Sequence, residues 1–282
     1  MSTQRYRVSH TSTYAYTGPI SASHNEVRMT PLTEEGQTTL ESRLRIRPLT
    51  WSNTYRDYFG THVTALETSG LHDSLELEAI STVERYHVDA ERPVATWDEL
   101  RSAPCRDVCF EYLELRRHTR LPADVLDSIS DATAGLEPAA SVERVVSLVS
   151  EHLDYEPGHT VATTVASEAW AAGKGVCQDF VHATLGALRH LGIPARYVSG
   201  YLMPDEDAPV GTAVAAESHA WVEWFDGTGW LAVDPTNDRP VALGHVVVAR
   251  GRDYEDVAPF KGVYLGDQDA DLTVTVLITR LG

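Results

Sequence analysis

Cys177, His219 and Asp234 are the residues whose types and order most directly suggest chemistry. A thiol is a strong nucleophile only as its thiolate. A helix N-terminus favours that form, because unpaired backbone N–H groups and the helix dipole stabilise negative charge. Cys177 stands where a stretch broken by Gly173 and Gly175 gives way to Phe180, Thr184, Ala187, Leu188 and Leu191 at helical spacing. Gly192, Ile193 and Pro194 end that helix. The N–H groups at its start suit an oxyanion, and the glycines allow close approach of a substrate to main chain.

The partners of the thiol come from a hairpin. Ala220–Phe225 and Trp230–Asp234 read as strands joined by a turn at Asp226, Gly227, Thr228 and Gly229. A turn centred between Gly227 and Thr228 pairs Phe225 with Trp230, Glu223 with Ala232 and Trp221 with Asp234. Opposed residues share a face, as do residues two apart, so His219 and Asp234 become diagonal neighbours about 7–8 Å apart at the backbone. An imidazole general base needs such a partner to fix its tautomer and orientation. A register slip of one residue would turn Asp234 to the opposite face and remove it. The chemistry expected of this set is thiol-dependent acyl transfer or hydrolysis, with His219 as base and Asp234 orienting it.

Four ordered segments carry a family resemblance: Gly175-Val176-Cys177-Gln178-Asp179-Phe180, the run Gly192 to Gly200, Ser218-His219-Ala220-Trp221-Val222-Glu223, and Asp234-Pro235-Thr236-Asn237. Together they resemble the core motifs of the transglutaminase-like superfamily, in its bacterial branch with an N-terminal β domain. His245–Val248 and Gly251-Arg252-Asp253-Tyr254 look like the same branch. The resemblance is strong over roughly Tyr155 to Leu265 and looser over the first ninety residues. It implies a papain-like core, a Cys-His-Asp triad in that chain order, and a thioester formed from an amide and resolved by water or an amine. Carried over by motif, the triad is Cys177, His219 and Asp234, the set reached from the residues themselves. Two features depart from relatives of this fold. No calcium loop of the EF-hand type is recognisable. Where papain-like proteases often carry a glutamine shortly before the cysteine, this chain has Ala171 and Ala172.

Other residues near the motifs have two readings each. Tyr155 and Trp170 lie upstream of the nucleophile and either line the cleft or belong to an aromatic core; Tyr155 is also a candidate oxyanion donor. Gln178 and Asp179 are expected to orient the helix start or touch substrate. His182 is as readily a core histidine as a supporting group. Cys105 and Cys109, four apart, are expected to be packing residues, since no further ligands at suitable spacing make a metal site of them. No metal and no cofactor are expected.

The chain of 282 residues is 43% hydrophobic and 23% charged, which suits one large globular domain or two modest ones. Acidic residues outnumber basic ones by 41 to 23, for a net charge of -18, and such a surface repels nucleic acid and anionic membranes. A polar start, no long apolar run and three cysteines point to the cytoplasm, with a peptide or protein substrate as the expected partner. The expected fold is α+β. An N-terminal antiparallel β-sandwich-like domain is expected over residues 1–92, from alternation at Tyr6 and Val8, Tyr14 and Tyr16, Leu44 and Ile46, Val63 and Ala65, and Leu75 to Ala79. A helical connector over 93–140 opens on a Thr96/Glu99 capping box, with helices at Asp107–Leu115 and Ala123–Ser130. The catalytic core over 141–282 begins with a helix at Ser141–Leu153. It carries the nucleophile helix on an antiparallel sheet, with later strands at Ala195–Met203, His245–Ala249 and Leu272–Thr279.

Overall fold

The computed structural model describes residues 3–88 and 94–282. Four strands open the chain: β1 (Thr3–Val27), β2 (Gln37–Arg47), β3 (Trp51–Arg56) and β4 (His62–Tyr86). Helices α1 (Trp97–Leu100), α2 (Ala103–Cys109), α3 (Ala123–Ala132) and α4 (Pro138–His152) follow. Next come β5 (Asp154–Tyr155), α5 (Ala166–Ala172), β6 (Lys174–Gly175) and α6 (Cys177–Leu191). The remainder is β7 (Ala195–Leu202), β8 (Ala213–Ala216), β9 (Ser218–Phe225), β10 (Trp230–Asp234), β11 (Arg239–Pro240), β12 (His245–Gly251), α7 (Tyr254–Val257), β13 (Phe260–Leu265) and β14 (Ala270–Arg280).

The fold is α+β with antiparallel main sheets. In the first sheet β1 and β4 pair over nearly their whole length, with register shifts between Ala15 and Ala22. The segments expected at Tyr6 and at Tyr14 are thus one strand of 25 residues. Gly70, at φ 95°, lies on β4 across from that irregularity, in a conformation side chains disfavour. Beyond it the sheet bends, since Val27 and Leu66 from one end share a core with Leu75, Leu77 and Ala79 from the other. This enclosed apolar layer is the sandwich-like feature of the sheet.

The second sheet has the order β11-β10-β9-β7-β12. Helix α6 crosses one of its faces and is buried continuously from Gln178 to Arg189. Phe180, Leu185 and Leu188 on α6, Ala220, Val222 and Trp224 on β9, and Val142, Val145 and Val149 on α4 form one core. Burying such side chains contributes roughly 1.5–3 kcal/mol each, which anchors α6 to the sheet.

Several boundaries differ from those expected. The helix expected at Asp107–Leu115 begins earlier, at Ala103, because Ser102 caps it with Pro104 in its first turn; it gives way to a 3-10 turn at Phe110–Tyr112. Helix α4 likewise starts at Pro138, a favourable first-turn residue. The Thr96/Glu99 capping box forms as expected, with Glu99 accepting from Thr96 N–H at 2.8 Å. The expected boundary at 92/93 lies outside the described residues. The last strand, expected with the core, instead pairs with β1 from Tyr16↔Ala270 to Tyr6↔Arg280, and β13 also pairs with β1. Val276 and Ile278 on β14 thereby join Tyr6, Val8 and Val83 in the main core.

Polar contacts join the two sheets. The Gln37 amide is wholly buried and bonds the main chain of Val247 on β12 in both directions, at 2.8 Å each. Arg250 on β12 reaches Glu34 of the first sheet's loop and binds Glu223 on β9 with two nitrogens, at 2.8 Å each.

Candidate active site

Cys177 is the first residue of α6 and is half-buried. The glycine before it has a steric role. A Cβ on Gly175 would lie 2.6 Å from the Asp179 side chain. The absence of a side chain lets the Asp179 carboxylate fold back and accept Val176 N–H at 2.8 Å and the Thr160 hydroxyl at 2.6 Å. Asp179 is wholly buried, and burial pushes its carboxyl up while these bonds oppose the shift. The main-chain N–H groups of Cys177 and Gln178 precede the first intrahelical acceptor bond, made by Asp179 N–H to Val176. They are left to face a negative group at the helix start.

The hairpin has the register counted from the sequence: Phe225 opposes Trp230, Glu223 opposes Ala232, and the ladder runs to Val222 and Val233. Its turn is held by the Asp226 carboxylate, which accepts Thr228 N–H at 2.7 Å and Gly229 N–H at 2.6 Å. His219 and Asp234 consequently meet, and His219 Nε2–H donates to Asp234 Oδ2 at 2.8 Å. Cys177 lies near enough to act on the same imidazole. Burial works against charging His219, but the bonds to Asp234 and Cys177 outweigh it and raise the imidazole to about 9. Asp234 is wholly buried; burial alone would push its carboxyl up, yet donors from His219, His245 and Asn237 hold it well below the usual carboxylate range. Near neutral pH the favoured state of the site is therefore imidazolium beside carboxylate.

The remaining candidates fall in different places. Tyr155 is half-exposed near Cys177, and its hydroxyl is pushed up to about 12 by burial, the thiol and Glu217. It stays a neutral O–H donor across the physiological range. Gln178 turns its amide to Ala162 C=O at 3.2 Å. Trp170 does not join the thiol. Its ring stacks on His152 at 3.9 Å, and it lines a separate cavity of about 360 Å³ with Asp124, Leu148 and His152. One turn of α5 aims the ring toward α4, because His152 also bonds Trp170 C=O at 2.9 Å. His182 is a core histidine, wholly buried, stacked on His118 and accepting Tyr254 N–H. Burial, His118 and Arg189 lower it to about 3, so it is neutral. Cys105 and Cys109 are free thiols pushed up by burial, Cys109 to about 12.

Two residues around Asp234 escaped the sequence reading. Asn237 Nδ2 donates to Asp234 Oδ2 at 2.7 Å, and His245 Nε2 approaches the same oxygen at 3.2 Å. Asn237 was visible as part of the Asp234-Pro235-Thr236-Asn237 segment. His245 begins β12, which lies two strands from β9 through β7, and no local spacing announces the contact.

Comparison with known proteins follows the same lines. Residues 127–235 match the model of the transglutaminase-like superfamily, and residues 6–84 match that of the bacterial transglutaminase-like N-terminal region. An uncharacterized protein of Mycobacterium leprae is 41% identical over 277 residues, covering 98% of this chain and 99% of that one. A protein-glutamine gamma-glutamyltransferase of Pseudomonas aeruginosa is 39% identical over 85 residues, which is 29% of this chain and 13% of that one. A solved structure from Cytophaga hutchinsonii, assigned as a candidate cysteine protease, has the same fold, with a TM-score of 0.82 at 21% identity over 100% of this chain and 92% of that one. The chain belongs to the transglutaminase-like superfamily. Among the described residues, no helix is long and apolar enough to cross a membrane.

Proposed function

We propose that the chain is a thiol-dependent amide or peptide hydrolase with Cys177 as nucleophile, His219 as proton carrier and Asp234 as the group that orients and charges the imidazole. The observation that carries this reading is the 2.8 Å bond from His219 to a wholly buried Asp234, with Cys177, at the start of a buried helix, near enough to raise the same imidazole. The thiolate of Cys177 attacks the amide carbon, and the carbonyl electrons move to oxygen. The N–H groups at the start of α6 face that oxyanion, with Tyr155 as the candidate side-chain donor. As the tetrahedral species collapses, His219 gives its proton to the leaving amine and a thioester remains. Water then attacks, His219 takes its proton, and Cys177 departs as thiolate. No metal or cofactor enters these steps. A peptide or protein is the expected substrate, and the acidic surface favours basic or neutral ones over nucleic acid. Three free thiols are in keeping with a cytoplasmic setting.

Transamidation is the second reading, favoured by the relative from Pseudomonas aeruginosa that bears that activity in its name. Both outcomes share one thioester and differ in the acceptor admitted. Incubation with a peptide library and a labelled primary amine separates them. Hydrolysis yields unlabelled cleaved or deamidated products that vanish in Cys177→Ala; label entering peptides at the expense of those products reverses the order of the two readings. Products unchanged in Cys177→Ala remove both.

A further inference from the structure

The buried carboxylate of Asp234 accepts more hydrogen bonds than the orientation of His219 requires. Oδ2 takes His219 at 2.8 Å, Asn237 Nδ2–H at 2.7 Å and His245 at 3.2 Å. Oδ1 takes the main-chain N–H groups of Thr236 at 3.1 Å and Asn237 at 3.3 Å. His245 is as fully buried as the carboxylate it meets. Its second nitrogen, Nδ1, accepts Ala242 N–H at 3.2 Å.

That last bond fixes the proton. A neutral imidazole has one donor and one acceptor nitrogen. An N–H aimed at Nδ1 uses the lone pair there, so the proton sits on Nε2, where it points at Asp234. The balance of influences on the ring favours a neutral state. Burial is the largest influence against charge, and His219 on β9 and Arg239 on β11 add to it; Asp234 on β10 acts the other way without prevailing. Trp221, uncharged, stands edge-on to the ring at 5.2 Å.

We propose that His245 is a positioning residue: as a neutral Nε2–H donor it holds Asp234 ionised and turned toward His219, so that the imidazole beside Cys177 keeps its proton through neutral pH. The inference rests on the triad reading above. His219, Asp234 and His245 also bring one ligand atom each within 4.8 Å of one another, close enough to hold a metal ion. A metal would need the Nε2 lone pair of His245, but the Ala242 N–H directed at Nδ1 places a proton there instead. The hydrogen-bonded arrangement satisfies both oxygens of Asp234 and both ring nitrogens of His245. A metal would break the bonds from both histidines to the carboxylate.

The test compares the full chain with His245→Leu and His245→Gln, the latter keeping an amide donor near the Nε2 position. Alkylation of Cys177 by iodoacetamide is followed against pH by peptide mass mapping. Loss of the donor loosens the carboxylate that keeps the proton on His219, so in His245→Leu the thiolate–imidazolium pair reverts toward thiol and neutral imidazole near neutral pH. The rate there falls about ten-fold, the scale of a lost bond to a charged group. His245→Gln restores most of it, and neither effect appears in an Asp234→Asn background, where the donor has no carboxylate to hold. Profiles of His245→Leu and wild type that coincide overturn the proposal and leave the triad reading intact. A wild-type Cys177 no faster than Cys105 and Cys109 defeats the triad reading itself. Should His245→Leu unfold, nitrogen-15 NMR of histidine-labelled wild type still decides. The Nε2–H tautomer of His245 is expected, whereas the Nδ1–H tautomer, or tight zinc binding that shifts both rings, contradicts the proposal.

Discussion

At the scale of single residues, charge placement in the site is set by burial working against hydrogen bonding. Burial would neutralise His219 and Asp234 alike, yet their mutual bond and the thiol contact leave both charged. Asp234→Asn removes the charge that raises His219. Its imidazole should then titrate well below about 9, and turnover should fall by about 10²–10⁴-fold, the range of general acid–base contributions. A pH–rate profile checks both. The same pair contributes to stability with a definite sign. The folded-state value of His219 lies above the ordinary 6.5, so the contribution is complete below that pH and is lost as pH rises through about 9. Urea unfolding across that window should show wild type losing stability that Asp234→Asn never had. Cys177, His219 and Asp234 were legible because each sits at a local signal: a helix start, a strand end and the far side of a countable turn. Trp170 was not, because one turn of α5 decides which way an aromatic points, and nothing in its spacing reveals the stacking on His152.

At the scale of elements, the register of β9 against β10 decides whether the site exists, and a single carboxylate holds the turn. Asp226 is wholly buried and its Oδ1 accepts from Thr228 and Gly229. Asp226→Ala should cost about 1–3 kcal/mol, the penalty of leaving such donors without a partner. Chemical denaturation measures it, and Cys177 reactivity should fall along with stability because His219 and Asp234 depend on the same ladder. At the helix start, Gly175→Ala forces a Cβ to within 2.6 Å of Asp179. The clash displaces the carboxylate that fixes Val176, at a cost of about 1–3 kcal/mol typical of overpacking, readable in thermal unfolding. These local elements were legible almost to the residue: α6 by its apolar spacing and closing Gly192, and β10 by its turn. The 25-residue strands were not, because alternation interrupted at Gly18 and Gly70 looks the same whether the chain reverses or only bends.

At the scale of the molecule, the two sheets stand or fall together. Glu223 is buried, and burial alone would push it up; Arg250 and Arg196 instead hold it at about 2. Its contribution to stability is present above the usual 4.5 and is lost as pH falls through that low value. Glu223→Leu leaves Arg196 and Arg250 without their shared partner and should cost about 3–5 kcal/mol, as expected when one member of a buried ion set is removed. The chain also closes on itself, since β13 and β14 find their partner in β1. A fragment beginning at residue 94 should therefore show no cooperative unfolding transition by calorimetry. Composition and motif order gave the fold class and the presence of a β-rich first part. The return of the C-terminal strand to that part was hidden, because a strand at the end of a sequence carries no mark of which sheet it completes.

The central claim is that Cys177 is an activated thiol, and the most direct measurement is mass-mapped alkylation of the intact chain across pH. Cys105 and Cys109 are internal controls, both raised by burial. Cys177 is predicted to be modified first at and below neutral pH, at a rate that Asp234→Asn sharply reduces, while the other two react only on unfolding or at high pH. A Cys177 that reacts no faster than Cys105, or whose rate is indifferent to Asp234, would contradict the account.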